Sequence, residues 1–274
     1  MSVTNNLEPT STFFQKHFHS IIHSIELDGT LFSEEQTQIC QAFLLQQSTF
    51  EESLAALKQT PSEPLTIEKV RTMLSQPRYR TYFSTTDFNE YKHIERLLIL
   101  KRLMELIDVE IYRNQAAGTY IQQMHAFIYQ DLYPWAGTYR KARRTRGHTY
   151  FLLPGLIPEA TRDFSLELEI MAAHYFPTKQ EFIKKYAPLV KELHFIHPFT
   201  KGNGLASRAL FRKIAMHHGY HLYYQRIKES VYMQGIEDCK TDFIESYLSQ
   251  SILNEQADQQ LIKATALKRK KDKK

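Results

Sequence analysis

The stretch His197-Pro198-Phe199-Thr200-Lys201-Gly202-Asn203-Gly204-Leu205-Ala206-Ser207-Arg208 decides how this chain is read. An apolar helical run ends at the imidazole, a Gly-Asn-Gly turn follows, and helix-forming residues resume at once. Such an arrangement is an anion site. Its glycines let backbone N–H groups close on phosphate oxygens, and the new helix adds unpaired N–H groups and the positive end of its dipole. Asn203 can add an amide donor, and Arg208, one turn into the helix, a bidentate guanidinium. His197 is placed to take a proton from an attacking hydroxyl, with a histidine packed in the core as the equal alternative on spacing alone. Phe199 reads as the loop's anchor in the core.

Working outward, helical patterns cover Pro158 to His174, Thr178 to Ile196, Leu205 to His217 and Ser230 to about Leu253. Upstream, a Gly-free pattern runs from Asp87 past Tyr112, with Leu97, Leu100, Leu103, Met104 and Ile107 on one face. A helix from Gly118 ends at Pro134-Trp135-Ala136-Gly137. Between Thr138 and Leu153 the pattern changes, and β-branched and aromatic residues around Gly147 predict a short hairpin that must rest on the helices. Residues 12 to 80 read as three helical pieces, Phe13 to Ile25, Ser33 to Gln47 and Thr66 to Leu74; Ser33 and Gln36 suit a capping box.

Bulk numbers agree with a mainly α protein. The 274 residues are 42% hydrophobic, enough for a sizeable core, and nine Gly and ten Pro are few for a sheet-rich fold. The net charge of +5 equals that of the tail Lys268 to Lys274, KRKKDKK, so the rest of the chain is formally neutral and no nucleic-acid-binding face is expected. Two cysteines, Cys40 and Cys239, suggest a reducing compartment and exclude a disulfide framework. His194, His197 and the group His217, His218 and His221 lack a defined third zinc ligand, so no metal site is expected. No run is long and apolar enough to span a bilayer, and the first residues lack a signal peptide's pattern. The expectation is a cytoplasmic protein, or one exported without such a signal into a host cytosol.

The stretch is similar to the signature of the Fic (filamentation induced by cAMP) family, HPFx(D/E)GNGRxxR, at His197, Pro198, Phe199, Gly202, Asn203, Gly204 and Arg208. Trp135-Ala136-Gly137 and Arg140 resemble the WAGxxR segment that precedes that family's flap. The resemblance implies a Fic-type helical bundle with a short β-hairpin flap: a core at 85–255, a helical N-terminal extension at 1–84 and a helical, basic tail at 256–274. It also implies transfer of AMP from ATP to a Ser, Thr or Tyr hydroxyl of a target protein. His197 would be the base, Gly202 to Gly204 the anion hole, Asn203 an α-phosphate ligand and Arg208 the terminal-phosphate clamp. The target would lie along the flap as an added strand beside Arg140, Lys141, Arg143, Arg144 and Phe151. An inhibitory glutamate would follow a Ser or Thr by four positions and precede Gly or Asn. Three loose matches, Ser48 to Glu52, Thr86 to Glu90 and Ser251 to Glu255, lack the last residue, and an inhibitory partner is a further option.

Two positions depart from the signature. Lys201 stands where the family has the acid that holds Mg²⁺, which makes that ion doubtful, and Leu205 replaces the first Arg. The Lys201 ammonium could itself neutralise the phosphates. Three readings follow: an adenylyltransferase with reduced or absent metal dependence, a pseudoenzyme that binds a partner protein, or an enzyme using another donor or transferring a phosphoryl group.

Overall fold

The computed structural model describes residues 12–61, 81–85, 87–107, 118–224, 227–237 and 241–271. The fold is mainly helical, with one small two-stranded antiparallel sheet. The N-terminal helices are α1 (Thr12–Glu26), α2 (Glu34–Leu44) and α3 (Phe50–Gln59). Ser33 and Gln36 form the expected capping box at α2. The sequence reading had no helix at α3, although Thr49 and Glu52 form a second capping box there, the same signal four residues after the end of α2. The expected helix at Thr66 to Leu74 lies outside the described residues.

Helix α4 (Phe88–Glu105) starts at Asp87, whose carboxylate accepts the N–H groups of Asn89 and Glu90, and α5 is Tyr120–Tyr129. Strands β1 (Thr145–Arg146) and β2 (Thr149–Tyr150) pair Thr145 with Tyr150 and Arg146 with Thr149. The hairpin expected over Thr138 to Leu153 is thus regular sheet only at its tip. Helices α6 (Ile157–Ala172), α7 (Lys179–Ile196) and α8 (Asn203–His217) follow. The pattern over Ser230 to Leu253 divides into α9 (Glu229–Glu237) and α10 (Thr241–Ser251), and α11 spans Gln259–Lys271.

One apolar core runs through these elements. α8 packs on α5, α7 and α1, α7 packs on α10, and α4 lies against α1, α3 and α5. Phe14, Phe18, Leu97, Met124, Phe164, Phe199 and Leu210 are fully buried within it. The turn between α7 and α8 emerges from this core, with residues of α4 and α5 and of the segment after α1 reaching it. Among the described residues no helix is long and apolar enough to cross a membrane.

Candidate active site

The turn works because two residues adopt backbone shapes others resist and a third leaves no room for a side chain. His197 caps α7 in the left-handed region, φ 44°, which is uncommon for a side-chain-bearing residue and aims the ring off the helix axis. Gly202 precedes α8 at φ 81°, and a Cβ there would meet the Tyr129 ring at 2.5 Å. Gly204 is helical, but a Cβ would stand 2.6 Å from an Asp28 carboxylate oxygen and 2.9 Å from Arg208. Both glycines are required by close approach, which is the condition for an anion to reach the backbone.

His197 sits under the flap. Phe151 stacks on its ring at 3.9 Å, and His194 approaches edge-on at 6.0 Å. Burial, then His194, Arg144 and Arg140, push its pKa down to about 2, so the imidazole is neutral. Its Nδ1 is buried with no hydrogen-bond partner among the described residues. Arg140 fastens this cover. Its backbone N–H donates to Pro198 at 2.9 Å, and its guanidinium donates to the carbonyls of His197 (2.7 Å), Ala142 (2.9 Å), Leu152 (2.5 Å) and Ile196 (3.3 Å). Expected on the docking edge, Arg140 is only 4% exposed and is instead a staple between flap and loop; Phe151, 5% exposed, is likewise turned inward. Lys141 and Arg143 are exposed as expected, and Arg144 is half-buried, donating to Thr200 at 3.3 Å.

Asn203, expected to point at an α-phosphate, closes the loop on itself. Its amide donates to the Phe199 carbonyl and its Oδ1 accepts the Phe199 N–H, both at 2.8 Å. Phe199 is fully buried and stacks on His125 at 3.9 Å. His125 is a positioning residue that sequence reasoning passed over. Its Nδ1 accepts the Gly137 N–H at 2.9 Å, so its Nε2 donates to the Lys201 carbonyl, also at 2.9 Å. It ties the Trp135-Ala136-Gly137 turn to the anion loop, and burial lowers its pKa to about 4, fixing the neutral form.

The two cations of the α8 end are each held by a carboxylate from elsewhere. Lys201 Nζ donates to Glu95 on α4, to the Tyr91 hydroxyl at 2.7 Å and to the Tyr133 hydroxyl at 3.0 Å. Arg208 is 4% exposed and donates to Ser24 Oγ at 3.0 Å, the Ser24 carbonyl at 2.7 Å and Asp28 Oδ1 at 2.7 Å. Leu205, in the place of the signature's first Arg, is buried. None of the three glutamates from the loose matches reaches Arg208: Glu52 caps Thr49, Glu90 pairs with Lys58 and Glu255 pairs with Lys179. The carboxylate on Arg208 is Asp28, in Ser24-Ile25-Glu26-Leu27-Asp28-Gly29. This stretch has the expected spacing and the final Gly with Asp for Glu, and a search admitting either acid would have found it.

Glu95, Asp28, Lys201, Arg208 and His197 line one cavity of about 410 Å³, which continues to Tyr232 and Tyr247. A Mg²⁺ ion requires several oxygen ligands in octahedral array. The two carboxylates here are already paired with Lys201 and Arg208, and among the described residues no three His, Cys, Asp or Glu side chains group closely enough to hold a metal. The side chains present do not fit that ion.

Residues 118–215 match the family model described as the Fic/DOC family. The chain carries a Fic/DOC domain. Among curated proteins, this chain is 30% identical over 116 residues to a probable protein adenylyltransferase Fic of Escherichia coli strain K12, covering 42% of this chain and 58% of that one. It is 24% identical over 166 residues to the protein adenylyltransferase VbhT of Bartonella schoenbuchensis, covering 54% and 34%. The chain thus spans less than two thirds of the length of these relatives. Among solved structures, the fold resembles that of the BepC effector of Bartonella tribocorum with bound AMPPNP, at TM-score 0.56 and 16% identity over 65% of this chain and 93% of that one. It also resembles an N-terminal Fic domain of Bartonella quintana with bound ADP, at TM-score 0.57 and 15% identity over 67% and 92%.

Proposed function

We propose that the chain is a nucleotide-dependent protein-modifying enzyme of the adenylyltransferase type, with ATP as donor. The observation that carries the reading is a single cavity in which a neutral imidazole faces the open N-terminus of α8 across a glycine turn. In the reaction a target hydroxyl oxygen attacks the α-phosphorus of ATP, His197 accepts the hydroxyl proton, and pyrophosphate leaves. Gly202 to Gly204 donate backbone N–H groups to the phosphates, and Arg208 clamps the terminal phosphate once Asp28 lets it go. A nucleotide also corrects the weakness of the buried base, since phosphate charge beside His197 favours the imidazolium and raises its proton affinity. The target docks along the flap beside Lys141, Arg143 and Arg144, whose charge suits an acidic segment.

Asp28 makes the protein self-restrained, with no separate inhibitory partner required. The caged Lys201 and buried Leu205 favour a second reading, a partner-binding protein on the same scaffold. Incubating the wild type and Asp28→Ala with α-labelled ATP and cell lysate separates the two. Label on protein, stronger with Asp28→Ala, supports the enzyme, and no label from either variant rejects it.

A further inference from the structure

We propose that this chain binds its nucleotide without a divalent cation, the Lys201 ammonium serving in the ion's place and Glu95, with Tyr91 and Tyr133, positioning it. The proposal rests on the nucleotide reading of the cavity given above. Three elements build the cage: Glu95 and Tyr91 lie four residues apart on α4, hence on one face, Tyr133 follows α5, and Lys201 comes from the anion loop itself. Tyr133 donates to Glu95 Oε1 at 2.6 Å, and the Tyr91 hydroxyl, 3.3 Å from the same oxygen, also contacts the Tyr133 hydroxyl, to which it can donate instead.

The arrangement has a specific consequence when a polyphosphate arrives. If Lys201 turns from Glu95 to the phosphates, the carboxylate keeps the Tyr133 hydroxyl as a donor and is not left without a hydrogen-bond partner. Burial, then Glu95 and Tyr91, hold the Tyr133 pKa well above its ordinary value, so that donor stays protonated. A phosphate chain carrying several negative charges outcompetes one carboxylate for the ammonium, and lysine binds phosphate as a point charge without directional demands. A divalent ion arriving with ATP meets the opposite conditions. It would stand against the Lys201 ammonium, and both nearby carboxylates are committed to other cations. Glu95 also explains how a lysine is tolerated in this half-buried turn before any nucleotide binds, because the two charges neutralise each other.

Titrating ATP into the full chain in EDTA and again in excess Mg²⁺, by calorimetry, tests this. The expected result is a Kd that agrees within about twofold in the two buffers. Lys201→Met should weaken binding about tenfold or more in both, with Lys201→Arg restoring most of it. Tightening of the wild type by Mg²⁺ of about tenfold or more overturns the proposal while leaving the nucleotide reading intact. Wild-type affinity in Lys201→Met overturns the role of the ammonium. Should Lys201→Met fail to fold, the wild-type comparison of buffers decides alone. Absence of ATP binding in both buffers, by wild type and by Asp28→Ala, removes the nucleotide reading and the proposal with it.

Discussion

The two ends of the active-site cavity are built on opposite principles. Around His197 the protein removes water and charge: the ring is stacked under Phe151, its proton affinity is depressed, and the Arg140 guanidinium donates to backbone carbonyls. Around the start of α8 it gathers cations and then neutralises each with a distant carboxylate, Lys201 with Glu95 and Arg208 with Asp28. The difference teaches that the His197 end is already fixed in position, and in the proposed reaction it needs only the bound nucleotide and target. In the proposed reaction the α8 end, here the phosphate end, must exchange these partners before it can hold a nucleotide, which places control of the protein there.

The largest effect expected at the base end is chemical. His197→Ala should lower label transfer from ATP by about 10²- to 10⁴-fold, the usual contribution of a positioned base, while ATP binding changes little. A transfer rate close to wild type would break the contrast, since the base end would then carry no chemistry. Next comes the staple beneath it. Arg140→Met keeps the length and removes every donor, and should destabilise the fold by about 3 kcal/mol, read as a shift in the chemical-denaturation midpoint. An unchanged midpoint would mean that flap and loop are held by packing alone.

A smaller, graded effect follows from the buried histidines. His197 and His17 are depressed to about 2, and His125, His93 and His194 to about 4, chiefly by burial. Each binds a proton in the unfolded chain below the ordinary histidine value of about 6.5 but not in the folded one. Their contribution to stability is therefore full above that value and is lost as pH falls from about 6.5, towards 4 for His125, His93 and His194 and towards 2 for His197 and His17. The Tm should be several degrees lower at pH 5 than at pH 7.5, and a Tm that is flat or rises on acidification would contradict it.

The contrast between the ends also marks what could be read from the sequence. The helical fold and the grouping of His197, the glycine turn and Arg208 around one cavity were legible because the cues are local: apolar spacing marks the helices, and His197 to Arg208 are contiguous. Of the carboxylates that pair with Lys201 and Arg208, Glu95 carries no cue in the sequence, and Asp28 carries one only where Asp is admitted for Glu. Glu95 lies 106 positions from Lys201, and Asp28 lies 180 from Arg208, so only folding brings them together. Arg140 was misread for a related reason. Its run of basic neighbours suggests a solvated charged edge, and nothing in the sequence reveals four backbone carbonyls converging on one member of the run. Asn203 was assigned to phosphate by its chemistry, but the same amide satisfies Phe199 in the turn.

The claim that control resides at the phosphate end is tested most directly by the affinity for ATP of wild type and Asp28→Ala, measured side by side by calorimetry. Removing the carboxylate leaves Arg208 a buried cation without its charge partner, so the variant should bind ATP about tenfold more tightly. Equal or weaker binding by a variant that melts as a folded protein would contradict the account.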